Sequence, residues 1–230
     1  MAEPALELSD IAFQWPGEGG FALHVRKLRV PAGEKVLLLG ASGSGKSTLL
    51  SLIGGILNPR DGSVRVAGTT LSDLSIRHRD RFRAETIGII FQQFNLLPYA
   101  SVADNIALPL RFAPARRART GNIAASIDRL CNGLCLPKGI ETQTAGLLSV
   151  GQQQRVAVAR ALIGTPPLVL ADEPTSALDT RSQAQFLDLL FQQVASAGSA
   201  LLMVSHEEGL APSFDRVVHL DEVIGKQEAR

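Results

Sequence analysis

The 230-residue chain is 45% apolar and 20% charged, with a formal net charge of +1. That balance excludes an intrinsically disordered chain and supplies no global field to draw nucleic acid or an acidic surface. With no run of 18 or more apolar residues, the chain is not expected to span a membrane by itself. Met1–Asp10 lacks a basic segment followed by an apolar core, so no signal peptide is expected. Cys131 and Cys135 are too few for a disulfide framework, and a reduced cytosolic compartment is the default. Their i, i+4 spacing predicts two packed thiols on one helix face. The length suits one substantial domain with room for a smaller subdomain.

In chain order, Leu6–Phe13 and Leu23–Val30 partly alternate apolar and polar residues and predict two strands, separated by Pro16-Gly17 and Gly19-Gly20. Pro31-Ala-Gly33 marks a turn, and Val36–Leu39 an apolar strand. A helix is expected from Thr48 to about Leu57, then a turn at Asn58–Gly62 and a strand with one wet face at Ser63–Ala67. The basic stretch with Arg77, His78, Arg79, Arg81 and Arg83, interleaved with Asp73, Asp80 and Glu85, reads as a solvated helix face. Ile87–Phe91 predicts a buried strand, and residues from about 94 to 164 read as mostly helical. A second basic cluster, Arg111, Arg116, Arg117 and Arg119, is also expected at the surface. Leu168–Ala171 reads as a buried parallel strand, Gln183–Ala197 as a helix, and Ala200–Val204 and Arg216–Leu220 as further strands. Strands alternating with helices predict an α/β sandwich.

Three motifs carry chemistry. Gly40-Ala41-Ser42-Gly43-Ser44-Gly45-Lys46-Ser47, followed by Thr48, fits the phosphate-binding pattern G-x-x-x-x-G-K-[ST] between a strand and a helix. Backbone N–H groups and the helix dipole converge there on a polyphosphate; Lys46 reaches its outer phosphates and the Ser47 hydroxyl suits Mg²⁺. Asp172 and Glu173 end an apolar strand, at the mouth of an α/β sheet where ligands bind. Asp172 is suited to Mg²⁺, and Glu173 to polarising a water that attacks the γ-phosphate. Ser149 with Gln152 three residues on predicts a capping box, and therefore a second anion-binding helix start.

Leu148-Ser-Val-Gly-Gln152, with the phosphate loop and Asp172-Glu173-Pro174, resembles the motif set of the nucleotide-binding domain of ABC transporters over nearly the whole length. The resemblance implies a phosphate-loop ATPase of α/β class with a mostly parallel core sheet, an N-terminal antiparallel β subdomain and an inserted helical subdomain at about 94–164, all within a single domain of 1–230. It implies that Trp15 stacks on adenine, that Gln92 senses Mg²⁺ and the attacking water, and that Ser176-Ala-Leu-Asp179 is a loop crossing a dimer interface. It implies that His206 contacts the γ-phosphate, and that Ser149, Gly151 and Gln152 bind the nucleotide held by a second copy. Val150 stands in place of the usual first glycine of the signature, which puts the local backbone in doubt because a β-branched residue disfavours positive φ. Trp15 stands where tyrosine is commoner, and Glu207 where aspartate often follows the histidine.

The implied mechanism is a head-to-tail homodimer with two ATP molecules at its seam and Mg²⁺ held by Ser47, Asp172 and Gln92. Glu173, His206, Gln92 and Lys46 are the catalytic set. Phe94-Asn-Leu-Leu-Pro-Tyr99, followed by Ala103–Pro109, resembles the lipoprotein-release and macrolide-export subgroup. That resemblance implies a permease partner with a large extracytoplasmic domain, a periplasmic adaptor, and a location on the inner face of the bacterial membrane. Phe94–Tyr99 is the expected docking segment. A cell-division-type ATPase signalling to cell-wall enzymes is the alternative. A DNA-repair or translation ATPase is disfavoured by the absence of coiled coils, tandem cassettes and strong basic charge. The end of the chain soon after the last strand leaves no expected C-terminal regulatory domain.

Overall fold

The computed structural model describes residues 3–17, 21–176 and 178–224. Gly19 and Gly20 of the first expected turn and Ala177 fall outside them. Two sheets form. One is antiparallel, in the order β2-β1-β4-β5, from β1 (Leu6–Gln14), β2 (Ala22–Val30), β4 (Asp61–Val66) and β5 (Thr69–Thr70). The other is parallel, in the order β6-β7-β8-β3-β9. Its strands are β3 (Lys35–Leu39), β6 (Ile87–Ile90), β7 (Leu168–Asp172), β8 (Ala200–Ser205) and β9 (Arg216–His219).

The parallel sheet is the middle layer, so its strands read as unbroken apolar runs instead of alternating ones. Alternate residues feed separate cores. Val36 and Leu38 of β3 join Leu6, Val64 and helix α1 (Lys46–Ile53) on the antiparallel side. Leu37 and Leu39 join the helices on the opposite side. Those helices are α3 (Val102–Ala107), α5 (Ile123–Gly133), α6 (Val150–Leu162) and α7 (Thr180–Ala197). Gly88 sets the closeness of one layer contact: a Cβ there would lie 2.2 Å from the Ala161 carbonyl oxygen of α6.

Several expectations need correction. Helix α1 stops at Ile53 and does not reach Leu57, because Gly54 and Gly55 follow and Gly55 turns to φ 64. Residues 92–100 form no helix. Cys131 is buried on α5, but Cys135 lies beyond the helix at φ 51, exposed, so the two thiols do not share a helix face. The basic clusters are not simply solvated. Helix α2 (Ile76–Thr86) buries Arg79 against Asn58, and helix α4 (Pro114–Thr120) buries Arg116 to 1% exposure. Arg116 donates to the carbonyls of Ala161 and Ile163 at 2.6 Å each, as well as to Ala84 and Ile87. Those first two carbonyls close the C-terminus of α6, where a cation meets the negative end of the dipole and unpaired acceptors.

Candidate active site

The strand order explains why residues far apart in sequence converge. Strand β8 lies between β7 and β3, so Leu39 pairs with Ser205 and Asp172 with Val204 at one edge. Strand β6 adjoins β7, with Ile90 opposite Ala171. The chain leaves the carboxyl ends of β3, β6, β7 and β8 into Gly40, Gln92, Glu173 and His206 respectively. Two backbone bonds lock these exits, Gly40 N to Ser205 O and Glu173 N to Val204 O, both 3.1 Å.

A cavity of ≈ 420 Å³ opens at this edge, lined by Trp15, Ser42, Gly43, Gly45–Thr48, Gln92, Asp172 and Glu173, with Phe21. Gly45 enters α1 at φ 100, and a Cβ on it would lie 2.6 Å from the Phe21 ring. No side chain caps α1, so its first-turn N–H groups remain available to an anion. The Ser44 hydroxyl is buried with no partner among the described residues, as a donor awaiting a ligand would be.

Lys46 is 6% exposed and commits all three donors: to Gly40 O at 2.8 Å, Ala41 O at 2.9 Å and Glu173 Oε1 at 3.2 Å. The other Glu173 oxygen meets His206 Nδ1 at 3.1 Å. Glu173 sits at φ 42, a left-handed conformation that costs a non-glycine residue about 1–2 kcal/mol. Its carbonyl is held by Ser176 N at 3.2 Å and Ser176 Oγ at 3.0 Å. Ser176 is also 3.5 Å from Gln92 Nε2.

Ser47 Oγ donates to Asp172 Oδ2 at 3.2 Å. Burial pushes the Asp172 carboxyl above its ordinary range; the Ser47 bond opposes this, the Glu173 charge adds to it, and Lys46 opposes it. Among the described residues no group of three or more His, Cys, Asp or Glu could hold a metal ion. A hydroxyl beside one carboxylate suits a hard cation that completes its shell with substrate phosphates and water.

Trp15 is 43% exposed and reaches Thr48 Oγ1 through Nε1 at 3.4 Å, leaving it accessible to a flat base. Ser149, Gly151, Gln152 and Asp179 do not line the cavity. Asp179 caps α7, accepting from Arg181 N and Ser182 N at 3.0 Å each. Ser149 and Gln152 form the expected capping box, with bonds of 2.9 and 3.3 Å. Val150 is the first residue of α6 and is not at positive φ, so its β-branch imposes no backbone strain there. A Cβ on Gly151 would meet nothing within 4 Å.

Sequence reasoning missed Phe21, Gln154 and Arg160, and placed Ser176 only in the loop that ends at Asp179. Gln154 is 2% exposed and donates to Pro174 O at 2.6 Å, tying α6 to the residue after Glu173. For Gln154 and Arg160 the available signal was a polar group inside the apolar helix 150–162; for Phe21 there was none. Phe94–Tyr99 is only partly exposed: Tyr99 is 79% exposed, Leu97 is half-buried, and Leu96 packs on the core. A larger depression of ≈ 1040 Å³ lies away from the phosphate loop, and Arg77, Arg81, Arg83, Arg111, Arg116 and Arg160 line it beside Phe112.

The family described as ABC transporter matches residues 23–176. The lipoprotein-releasing system ATP-binding protein LolD of Chromohalobacter salexigens is 40% identical over 204 residues, 87% of this chain and 83% of that protein. The macrolide export ATP-binding/permease protein MacB 1 of Aeromonas hydrophila is 40% identical over 229 residues, 96% of this chain but 34% of that protein. The chain thus spans about a third of the length of such export relatives. A dimeric structure of MJ0796, a bacterial ABC transporter cassette, superposes with a TM-score of 0.77 at 30% identity over 93% of each chain. A dimeric post-hydrolysis state of that cassette, bound to ADP and Pi, superposes at 0.74 with 32% identity over the same shares.

Proposed function

The chain belongs to the ABC transporter family and is an ATP-binding, ATP-hydrolysing cassette; from that premise we propose that two copies close head to tail over two ATP molecules and drive a membrane permease of the macrolide-export or lipoprotein-release kind. The whole 1–230 chain is then one ATPase domain with its helical subdomain at about 94–164, working on the inner face of the membrane. The observation that carries the reading is the inequality of the two anion-binding helix starts. The start of α1 is open and lines the cavity, whereas the start of α6 is self-capped and away from it. Gly151 faces open space, which gives a single copy no reason to need glycine there. A second copy's triphosphate supplies that reason.

In this reading Gly40–Thr48 cradle the phosphates, Trp15 stacks the base, and Ser47, Asp172 and Gln92 hold Mg²⁺, which neutralises phosphate charge when bound. ATP competes with Glu173 for Lys46. Once Lys46 turns to the γ-phosphate, Glu173 is released to orient water, and His206 remains to contact the transferring group. A permease segment seats in the arginine-lined depression next to Phe94–Tyr99, presenting acidic and apolar side chains to it. A periplasmic adaptor completes the assembly.

Mixing two inactive variants tests the shared site. Lys46→Ala spoils the phosphate loop and Ser149→Arg spoils the signature, so each homodimer is dead. A mixed dimer retains one intact composite site, and ATPase activity should reappear on mixing. A mixture no more active than its components would refute sites built across two copies.

A further inference from the structure

Arg160 lies on α6, three turns beyond the signature cap, and is 7% exposed. Burial lowers its pKa, and among the described residues no carboxylate pairs with it. Its two terminal nitrogens instead donate to adjacent backbone carbonyls, Nη1 to Asn95 O at 2.6 Å and Nη2 to Phe94 O. Those residues are consecutive, neither is glycine, and both are left-handed, at φ 59 and 48. Such backbone persists only where surroundings hold it. A planar guanidinium can hold two neighbouring carbonyls at once, which an ammonium cannot.

The segment so held is short and taut. Phe94 N donates to Phe91 O at 3.0 Å, across a turn that contains Gln92, and Asn95 N donates to Gln93 O at 2.6 Å. Gln92 lines the nucleotide cavity, while Asn95 and Arg160 both line the arginine-rich depression. The same helix also grips Pro174 through Gln154. One guanidinium therefore touches the backbone that joins the cavity to the depression, from the helix that Ser149 caps.

We propose that Arg160 is a positioning residue of the ATPase reaction: its fork on Phe94 and Asn95 fixes Gln92 over the nucleotide and couples α6 to the segment between the two cavities. This rests on the reading of Gln92 as the residue that holds Mg²⁺ and senses the attacking water. The test is a double-mutant cycle of Arg160→Lys and Gln92→Ala, reading kcat and KM for ATP together with thermal unfolding. Arg160→Lys should lower kcat by roughly ten- to a hundredfold, the scale of a small misplacement in an active site, with KM little changed. It should add no further loss in the Gln92→Ala background. Multiplying losses in the double variant, or an unchanged kcat in Arg160→Lys, overturns the proposal. A Gln92→Ala variant of normal kcat instead sinks the reading of Gln92, and the proposal with it, a result distinct from the other two. If Arg160→Lys does not fold, Arg160→Gln, which keeps one donor pair, takes its place. Failure of both to fold assigns Arg160 to the core and overturns the proposal.

Discussion

Replacing Glu173 by glutamine should tighten ATP binding while nearly stopping turnover. Lys46 and Glu173 are paired at 3.2 Å, with side-chain exposures of 6% and 15%. At an effective dielectric of about 20 the gross attraction is about 5 kcal/mol. The cost of desolvating both groups offsets most of it, and about 1.5 kcal/mol remains, the lower end for a charge-assisted hydrogen bond. ATP must replace that bond to engage Lys46. Removing the charge of Glu173 should therefore lower the Kd for ATP about tenfold, and the loss of a carboxylate facing a triphosphate acts in the same direction. Without a group to polarise water, kcat should fall by about 10²–10⁴. The chain has a single tryptophan, Trp15, on the cavity wall, so its fluorescence reports MgATP binding directly. Phosphate release measures turnover. A variant that binds ATP no tighter than the parent refutes the competition for Lys46; near-parental turnover refutes the role of Glu173.

Asp172→Asn should raise the thermal midpoint of the nucleotide-free chain while abolishing Mg²⁺-dependent ATPase activity. The folded state holds the Asp172 proton more tightly than the unfolded chain, so its ionisation costs stability as pH rises through its titration; differential scanning at pH 7, where asparagine removes that cost, checks the sign. Burial, with Glu141 and Asp128 adding to it, pushes the Cys131 thiol up to about 11. Thiol titration of the native chain at pH 8 should therefore count one fast-reacting group, Cys135, and two after denaturation. Gly151→Ala should leave the stability of the nucleotide-free chain equal or slightly higher, since its Cβ enters open space on a helix. It should nevertheless weaken ATP-driven dimerisation of the Glu173→Gln chain in sizing experiments; equal dimerisation would show that nothing approaches Gly151.

The parallel sheet was legible because strands buried on both faces leave unbroken apolar runs, as at Leu168–Ala171 and Ala200–Val204. The phosphate loop was legible because its glycines, lysine and serine act through the backbone and through side chains at fixed local spacing. What escaped was non-local. Arg116 reads as one arginine among four in a basic stretch, and only the fold brings it to the carbonyls that end α6. Helix α1 was drawn too long because Ile56 and Leu57 continue the apolar pattern past Gly54-Gly55, where the backbone has already turned. Phe21 was missed because its place over Gly45 comes from the pairing of β1 with β2, which periodicity does not encode.

The charged and polar groups of the site pair with one another. Lys46 is saturated by two carbonyls and Glu173, Glu173 by Lys46 and His206, and Ser47 donates to Asp172. Each of these contacts engages a group to which the proposed reading gives a part in ATP hydrolysis. In the proposed reading the carboxylate of Glu173 becomes available to orient water only when a γ-phosphate takes over Lys46. The capping box of α6 fits the same reading: Ser149 and Gln152 satisfy one another within the chain, and in the proposed dimer a second copy's phosphate would take their place. In that reading, pairing within the chain and binding of ATP use the same groups, and the ligand exchanges one set of partners for the other.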